Sequence, residues 1–184
     1  DGKGRNLFDD GGPKRSDLLP QAVAGLIETA PEAMIFFAPH LNSMRRFQEN
    51  SHAPTRAAWG YENRTAAIRI PDDEGKNRRL EHRIAGADAN PYLLTAALLA
   101  GVLHGVKNKL TPPKPLEGNA YADSAAKLPS YWRDAIQTFE ASQVIAPAFG
   151  ELFTRVYRAL KRQEERIAHA RITDFEYDTY LQTF

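Results

Sequence analysis

The chain has 184 residues, 42% of them hydrophobic, and its 24 lysines and arginines nearly cancel 23 aspartates and glutamates, leaving a net charge of +1. That length supports one domain with a buried core, and near-neutrality gives no general basis for binding nucleic acid or an anionic membrane. The absence of cysteine excludes disulfides, thiol nucleophiles and thiolate metal sites, and fits a cytoplasmic location.

The opening Asp1-Gly2-Lys3-Gly4-Arg5-Asn6 is turn-forming and lacks an initiator methionine, so the chain reads as the interior of a longer protein. Ser16 is placed to cap a helix running to about Ala30, with Pro31 starting a second short helical piece. Irregular chain follows from Pro39 to Pro54. Strand patterns occupy Ala57–Tyr61, Ala66–Ile70 and Arg79–Ile84, the last two joined by an exposed turn, Asp72 to Asn77. Asn90-Pro91 starts a helix to about Lys109, since asparagine caps and proline suits the first helical position. The apolar residues of that helix predict deep burial, and Gly101 and Gly105, four apart, predict close packing on the sheet. The longest apolar stretch, Pro91 to Val106, contains His104 and is too short to cross a bilayer. No signal peptide pattern is visible. Thr111-Pro112-Pro113-Lys114-Pro115 marks a linker or surface loop. Helices are then expected at Tyr131 to Phe139 and Pro147 to Ala170, and Thr173-Asp174-Phe175-Glu176 is a capping box for a last one. The fold class is α+β: antiparallel strands packed on helices over about 1–110, then a loop and a helical tail over 111–184.

Alternation on the strand patterns carries the functional signal. Arg79, Glu81 and Arg83 share one face and Leu80, His82 and Ile84 the other, while Arg69 stands opposite Ile68 and Ile70. Three arginines and a carboxylate on one sheet face are costly to desolvate unless a charged ligand meets them. An anion with a divalent cation would do so, arginine taking phosphate or carboxylate oxygens and Glu81 the metal. A solvated face of an ordinary hairpin has the same pattern.

Several segments in order resemble the glutamine synthetase family: Asn42-Ser43-Met44-Arg45-Arg46, Asn63 to Pro71, Arg79-Leu80-Glu81-His82-Arg83, Ala89-Asn90-Pro91-Tyr92-Leu93, Gly118-Asn119-Ala120-Tyr121 and the ending Phe175 to Tyr180. The resemblance covers nearly the whole chain and implies the C-terminal part of that family's catalytic domain. It implies an ATP-dependent carboxylate–amine ligase that makes a γ-glutamyl phosphate and passes the acyl group to an amine. Glu81 would be a ligand of Mg2+ or Mn2+. Arg64 would contact the transferring phosphoryl group and the glutamate, and Arg69, Arg79 and Lys76 the nucleotide. Arg46 and Arg83 would hold the glutamate carboxylates. The family also implies a double-ring homo-oligomer with sites between subunits, so the isolated chain, lacking upstream metal ligands, is expected to be inactive.

Taken alone, Arg45 and Arg46 read as surface charges, Arg78 and Arg79 as a solvated basic pair, and Trp59 and Tyr61 as residues that either line a pocket or, the expectation, fill the strand core. Tyr121 matches a position that some bacterial relatives modify with a nucleotide, although an unmodified tyrosine is the expectation. His40, His104 and His169 read as satisfied or solvent-facing. Ammonia-using members carry a glutamate two residues before Pro54, and this chain has His52 there. An imidazole offers no fixed anion to ammonium, so the nucleophile is expected to be an amine larger than ammonia, such as a polyamine or alkylamine. His52 would serve as its general base or leave room for it. The alternatives are a true glutamine synthetase, a non-catalytic subunit of the same kind, or an unrelated α+β domain.

Overall fold

The computed structural model describes residues 1–9, 17–71 and 75–181. Six helices run in chain order: α1 (Leu18–Phe37), α2 (Pro91–Lys107), α3 (Trp132–Glu140), α4 (Ile145–Phe149), α5 (Glu151–His169) and α6 (Asp174–Tyr180). Between α1 and α2 lies a three-stranded sheet of β1 (Trp59–Tyr61), β2 (Ile68–Ile70) and β3 (Glu81–His82), in that order. Short 3-10 helices occur at Leu41–Arg46, Gly75–Asn77 and Ala120–Ala122.

The strands are shorter than the sequence pattern and not all antiparallel. β2 and β3 are antiparallel as expected, but β1 runs parallel to β2. A parallel return normally needs a long crossover. Three-residue strands relax that demand, because the chain need only retrace about 10 Å, which residues 62–67 span. The register sorts charge from apolar surface. Arg69 stands opposite Glu81 on one face, while Ile68 stands opposite His82. Ile68 and Ile70 join Trp59 in a buried cluster with Leu19, Val23 and Leu26 of α1. The sheet therefore lays its apolar face on α1 and turns the other face outward.

α1 is one continuous helix with Pro31 inside it, contrary to the expected break. An interior proline costs about 3 kcal/mol or more, but both sides of Pro31 are fixed by burial. Leu26, Ala30, Ala33, Met34 and Phe36 are each at most 4% exposed, and the core organised by Phe36 and Phe37 holds the helix together. Ser16 lies outside the described residues, and Asp17 is the residue at the cap. Asn90 caps α2 as expected, its Oδ1 accepting from Tyr92 N–H at 3.0 Å and Leu93 N–H at 3.2 Å.

Burial of α2 differs from expectation. Its buried residues are Ala97, Gly101 and Gly105, a stripe at four-residue spacing, whereas Tyr92, Leu99 and Leu103 are 83%, 63% and 51% exposed. That stripe meets α1, not the sheet. A Cβ on Gly105 would collide with the Gln21 carbonyl and the Gly25 backbone, and one on Gly101 with Thr29 Oγ1. The outer face of α2 has no covering layer among the described residues.

The C-terminal helices close the core from the far side. Phe36 stacks on Phe149, Phe153 and Tyr157 and meets Phe139 edge-on. The helix expected from Pro147 is broken by Gly150, whose φ of 81° is open to glycine and strained for other residues. Thr173 and Glu176 form the expected capping box of α6. Glu32 of α1 organises the entry to α4: it accepts from Ser142 Oγ at 2.6 Å and from the N–H groups of Gln143, Val144 and Ile145. Burial alone would raise its pKa, but these hydrogen bonds outweigh that and hold it below 4.5. Because the unfolded carboxylate binds protons first, Glu32 contributes stability above pH 4.5 that is lost as pH falls through its lowered folded value. Glu32→Ala is expected to cost about 2 kcal/mol in urea unfolding at pH 7 and to flatten the decline in stability below pH 4.5.

Candidate active site

The outward sheet face is a charged cluster. Arg69 Nη1 donates to Glu81 Oε2 at 2.8 Å, and its Nη2 to Glu62 Oε2 at 2.5 Å. Arg79 Nη2 lies 3.5 Å from Glu81 Oε1. Hydrogen bonds to Glu62 and then Glu81 raise the Arg69 pKa, so it is a permanent cation. The expected convergence of Arg69, Arg79 and Glu81 is present. Arg83 is the departure: it follows β3, donates its backbone N–H to Ala67 at 2.9 Å and makes no ion pair among the described residues. Its Nε and that of Arg69 are buried without hydrogen-bond partners. Glu62 was missed because it lies beyond the β1 pattern at a φ of 48°, where alternation gives no guidance.

A second group forms at the rim behind β3. Arg46 is not the surface charge its residue type suggests: Nη2 donates to the Ile84 carbonyl and its guanidinium lies 4.7 Å from the Phe47 ring centre. Burial lowers its pKa and the Asp88 carboxylate pulls the other way. Asp88 in turn accepts from Ser43 Oγ at 2.5 Å. His82 sits against Phe37 with 4.4 Å between ring centres and has a buried Nε2 with no partner. Its burial, helped by the Arg46 charge, pushes its pKa down to about 4, so the imidazole is neutral near pH 7. Arg45 is exposed, as read from sequence.

Arg64 is exposed at a cleft of about 480 Å3 lined also by Tyr61, Glu62, Asn63, Leu116 and Gly118. Glu62 thus connects this cleft to the Arg69–Glu81 cluster. The residues on either side of Arg64 are pinned. Asn63 Nδ2 donates to the Gly118 carbonyl at 2.8 Å, and Thr65 Oγ1 accepts from Ala120 N–H at 2.9 Å. Trp59 is core, as expected, with Nε1 donating to the Pro113 carbonyl at 2.8 Å. Tyr61, expected in the core, is 38% exposed and lines the cleft, because it sits at the strand end where the proline-rich segment passes.

His52 projects from a strained loop. Asn50 and His52 have φ of 62° and 61°, a left-handed conformation that costs a non-glycine residue roughly 1–2 kcal/mol. Such strain persists only where surroundings impose it. Here Ser51 Oγ donates to the carbonyls of Arg46 and Gln48, and Tyr121 Oη donates to the Ala53 carbonyl at 3.0 Å. Pro54 is fully buried and fixes the far end. Tyr121 is 8% exposed, so its hydroxyl is engaged inside the fold.

Lys76 is exposed on the 3-10 turn Gly75–Asn77, and its carbonyl accepts from Asn6; residues 72–74 of the expected turn lie outside the described residues. His104 pairs with Glu28 at 3.0 Å, His169 accepts from Arg133 at 3.2 Å, and His40 belongs to a capping box. No group of three or more histidines, aspartates and glutamates converges among the described residues. With both Glu81 oxygens facing arginines, these residues do not by themselves form a metal site.

The profile for "Glutamine synthetase, catalytic domain" matches residues 2–180. The chain belongs to the glutamine synthetase family. Gamma-glutamylputrescine synthetase of Escherichia coli (strain K12) is 40% identical over 180 residues, covering 98% of this chain and 38% of that protein. Gamma-glutamylethanolamide synthetase of Streptomyces coelicolor is 40% identical over 176 residues, covering 96% of the chain and 38% of its own length. A solved structure of GmaS with ADP superposes with a TM-score of 0.84 at 31% identity, over 96% of this chain and 43% of that one. The chain thus spans less than half the length of these relatives. Enzymes of this family use ATP and divalent metal ions in general. No helix among the described residues is long and apolar enough to cross a membrane.

If the outward ion pairs exist to meet a ligand, they contribute little to folding. Arg79→Ala, at a pair whose arginine is 52% exposed, is expected to change stability by about 1 kcal/mol or less in urea unfolding. A loss above about 3 kcal/mol would place these pairs with buried structural ones instead.

Proposed function

We propose that the full-length protein is an ATP-dependent ligase joining an amine larger than ammonia to the γ-carboxylate of glutamate, and that this chain is the C-terminal part of its catalytic domain. The glutamate γ-carboxylate oxygen attacks the γ-phosphorus of ATP and ADP departs. The amine nitrogen then attacks the acyl phosphate carbon, inorganic phosphate leaves, and the nitrogen loses a proton. Such chemistry depends on positioning the reactants and neutralising developing negative charge.

The residues support this division of labour. Arg69 and Arg79 supply fixed cations for the nucleotide phosphates, with Lys76 reaching from its turn. Arg64, exposed beside a cleft, is free to meet the transferring phosphoryl group. Arg46 and Arg83 would hold the glutamate carboxylates. Glu81 would give one ligand to a Mg2+ or Mn2+ ion that supplies further charge neutralisation, the other ligands coming from upstream of this chain. Exchange of the arginine contacts for phosphate and metal contacts is inexpensive where pairs face solvent.

The amine assignment rests on His52. The imidazole is exposed on a loop whose strained backbone is held from both sides, at the position where ammonia users carry a carboxylate. Without that anion the loop does not concentrate ammonium, and it leaves room for a carbon chain. The names of the two relatives, which join glutamate to putrescine and to ethanolamine, support the same reading. Family membership supports assembly as a double-ring homo-oligomer, and the exposed Leu99 and Leu103 of α2 agree with further protein packing there.

Glutamate- and ATP-dependent phosphate release by the full-length protein is expected to be at least about tenfold faster, in kcat/KM, with putrescine, ethanolamine or a short alkylamine than with ammonia. Preference for ammonia would overturn the assignment. The isolated chain is expected to make no amide, and turnover by it alone would contradict the need for upstream groups.

A further inference from the structure

We propose that Tyr121 is a positioning residue that locks the amine side of the site to its phosphoryl side. The proposal rests on the reading that the His52 loop faces the amine. Its own basis is a set of hydrogen bonds made by one 3-10 turn, Ala120–Ala122. Asn119 Oδ1 caps that turn by accepting from Tyr121 N–H at 3.0 Å. Ala120 N–H donates to Thr65 Oγ1, next to Arg64, at 2.9 Å. Tyr121 Oη donates to the carbonyl of Ala53, next to His52, at 3.0 Å. Thus three sequence-distant segments, near residues 52, 64 and 120, are tied at one turn.

The hydroxyl has a specific task there. Ala53 is buried and precedes Pro54, which limits it to extended backbone. A carbonyl buried at that point needs a donor, and Tyr121 supplies it from the opposite side of the loop. Ser51 holds the loop from its other end through Arg46 and Gln48. Between the two anchors only the His52 side chain is left to project. Loss of the Tyr121 hydroxyl leaves the ring packed but frees one anchor, so His52 samples other positions while the arginines on the sheet stay in place.

The separation of amine from nucleotide and glutamate effects makes the role testable in the full-length enzyme. Tyr121→Phe is expected to raise the KM for putrescine about tenfold, the equivalent of one hydrogen bond. KM for ATP and for glutamate should change less than about twofold, within the range of a peripheral contact. His52→Ala should raise the putrescine KM too, and adding Tyr121→Phe to it should have little further effect, because both act on one loop. Amide hydrogen exchange at residues 50–53 should quicken in Tyr121→Phe while that of α1 does not. If His52→Ala raises the amine KM and Tyr121→Phe leaves it unmoved, the positioning role is wrong and the amine-side reading stands. If neither variant moves it, both are wrong. A parallel rise in all three KM values would make Tyr121 a general scaffold residue and would also overturn the proposal.

Discussion

The antiparallel register of β2 against β3 is the constraint on which the site depends. Setting Arg69 opposite Glu81 also sets Ile68 opposite His82, because side chains alternate along a strand. A shift of one residue would bury the guanidinium and carboxylate against α1 and expose the isoleucines. The apolar cluster of Trp59, Ile68 and Ile70 with Leu19, Val23 and Leu26 therefore fixes where the charges point. Packing beneath the sheet positions the chemistry above it.

Around that sheet, two further regions are held by different means. Arg46 is drawn into the rim by a backbone carbonyl and the Asp88 carboxylate, beside a neutral His82. Arg64 and His52 sit in irregular chain, where no ladder of backbone bonds constrains them, and side-chain hydrogen bonds from Asn63, Thr65, Ser51 and Tyr121 take that role. On the proposed function, the rigid sheet would take the phosphates and the braced loop the nucleophile, the one partner shared by γ-glutamyl ligases and the other differing between the relatives named for putrescine and ethanolamine.

Local signals survived into the structure where the energy is local. The Asn90 cap, the Thr173 capping box and the alternation around Glu81 involve neighbours within a few residues, so each was legible. Pro31 was misleading because burial of α1 on nearly all sides outweighs a local preference. The deep burial expected of α2 failed because its Ala97, Gly101 and Gly105 stripe meets α1 while its other face has no covering layer among the described residues. The parallel pairing of β1 was hidden by a strand too short to need a crossover. The bond from Tyr121 to Ala53 spans 68 positions, and no spacing rule reaches that far. Arg64 and His52 were singled out through resemblance and Glu81 already through alternation, whereas Glu62, Asn63 and Thr65 entered only through their contacts.

On the proposed function, the outward charges on β2 and β3 receive a nucleotide polyphosphate with its divalent ion. Equilibrium binding of a non-hydrolysable ATP analogue to the full-length protein, with magnesium and at constant ionic strength, tests this most directly. Binding is expected to depend on magnesium and to weaken at least about tenfold in Glu81→Gln. Equal binding by both proteins, with or without magnesium, would contradict it.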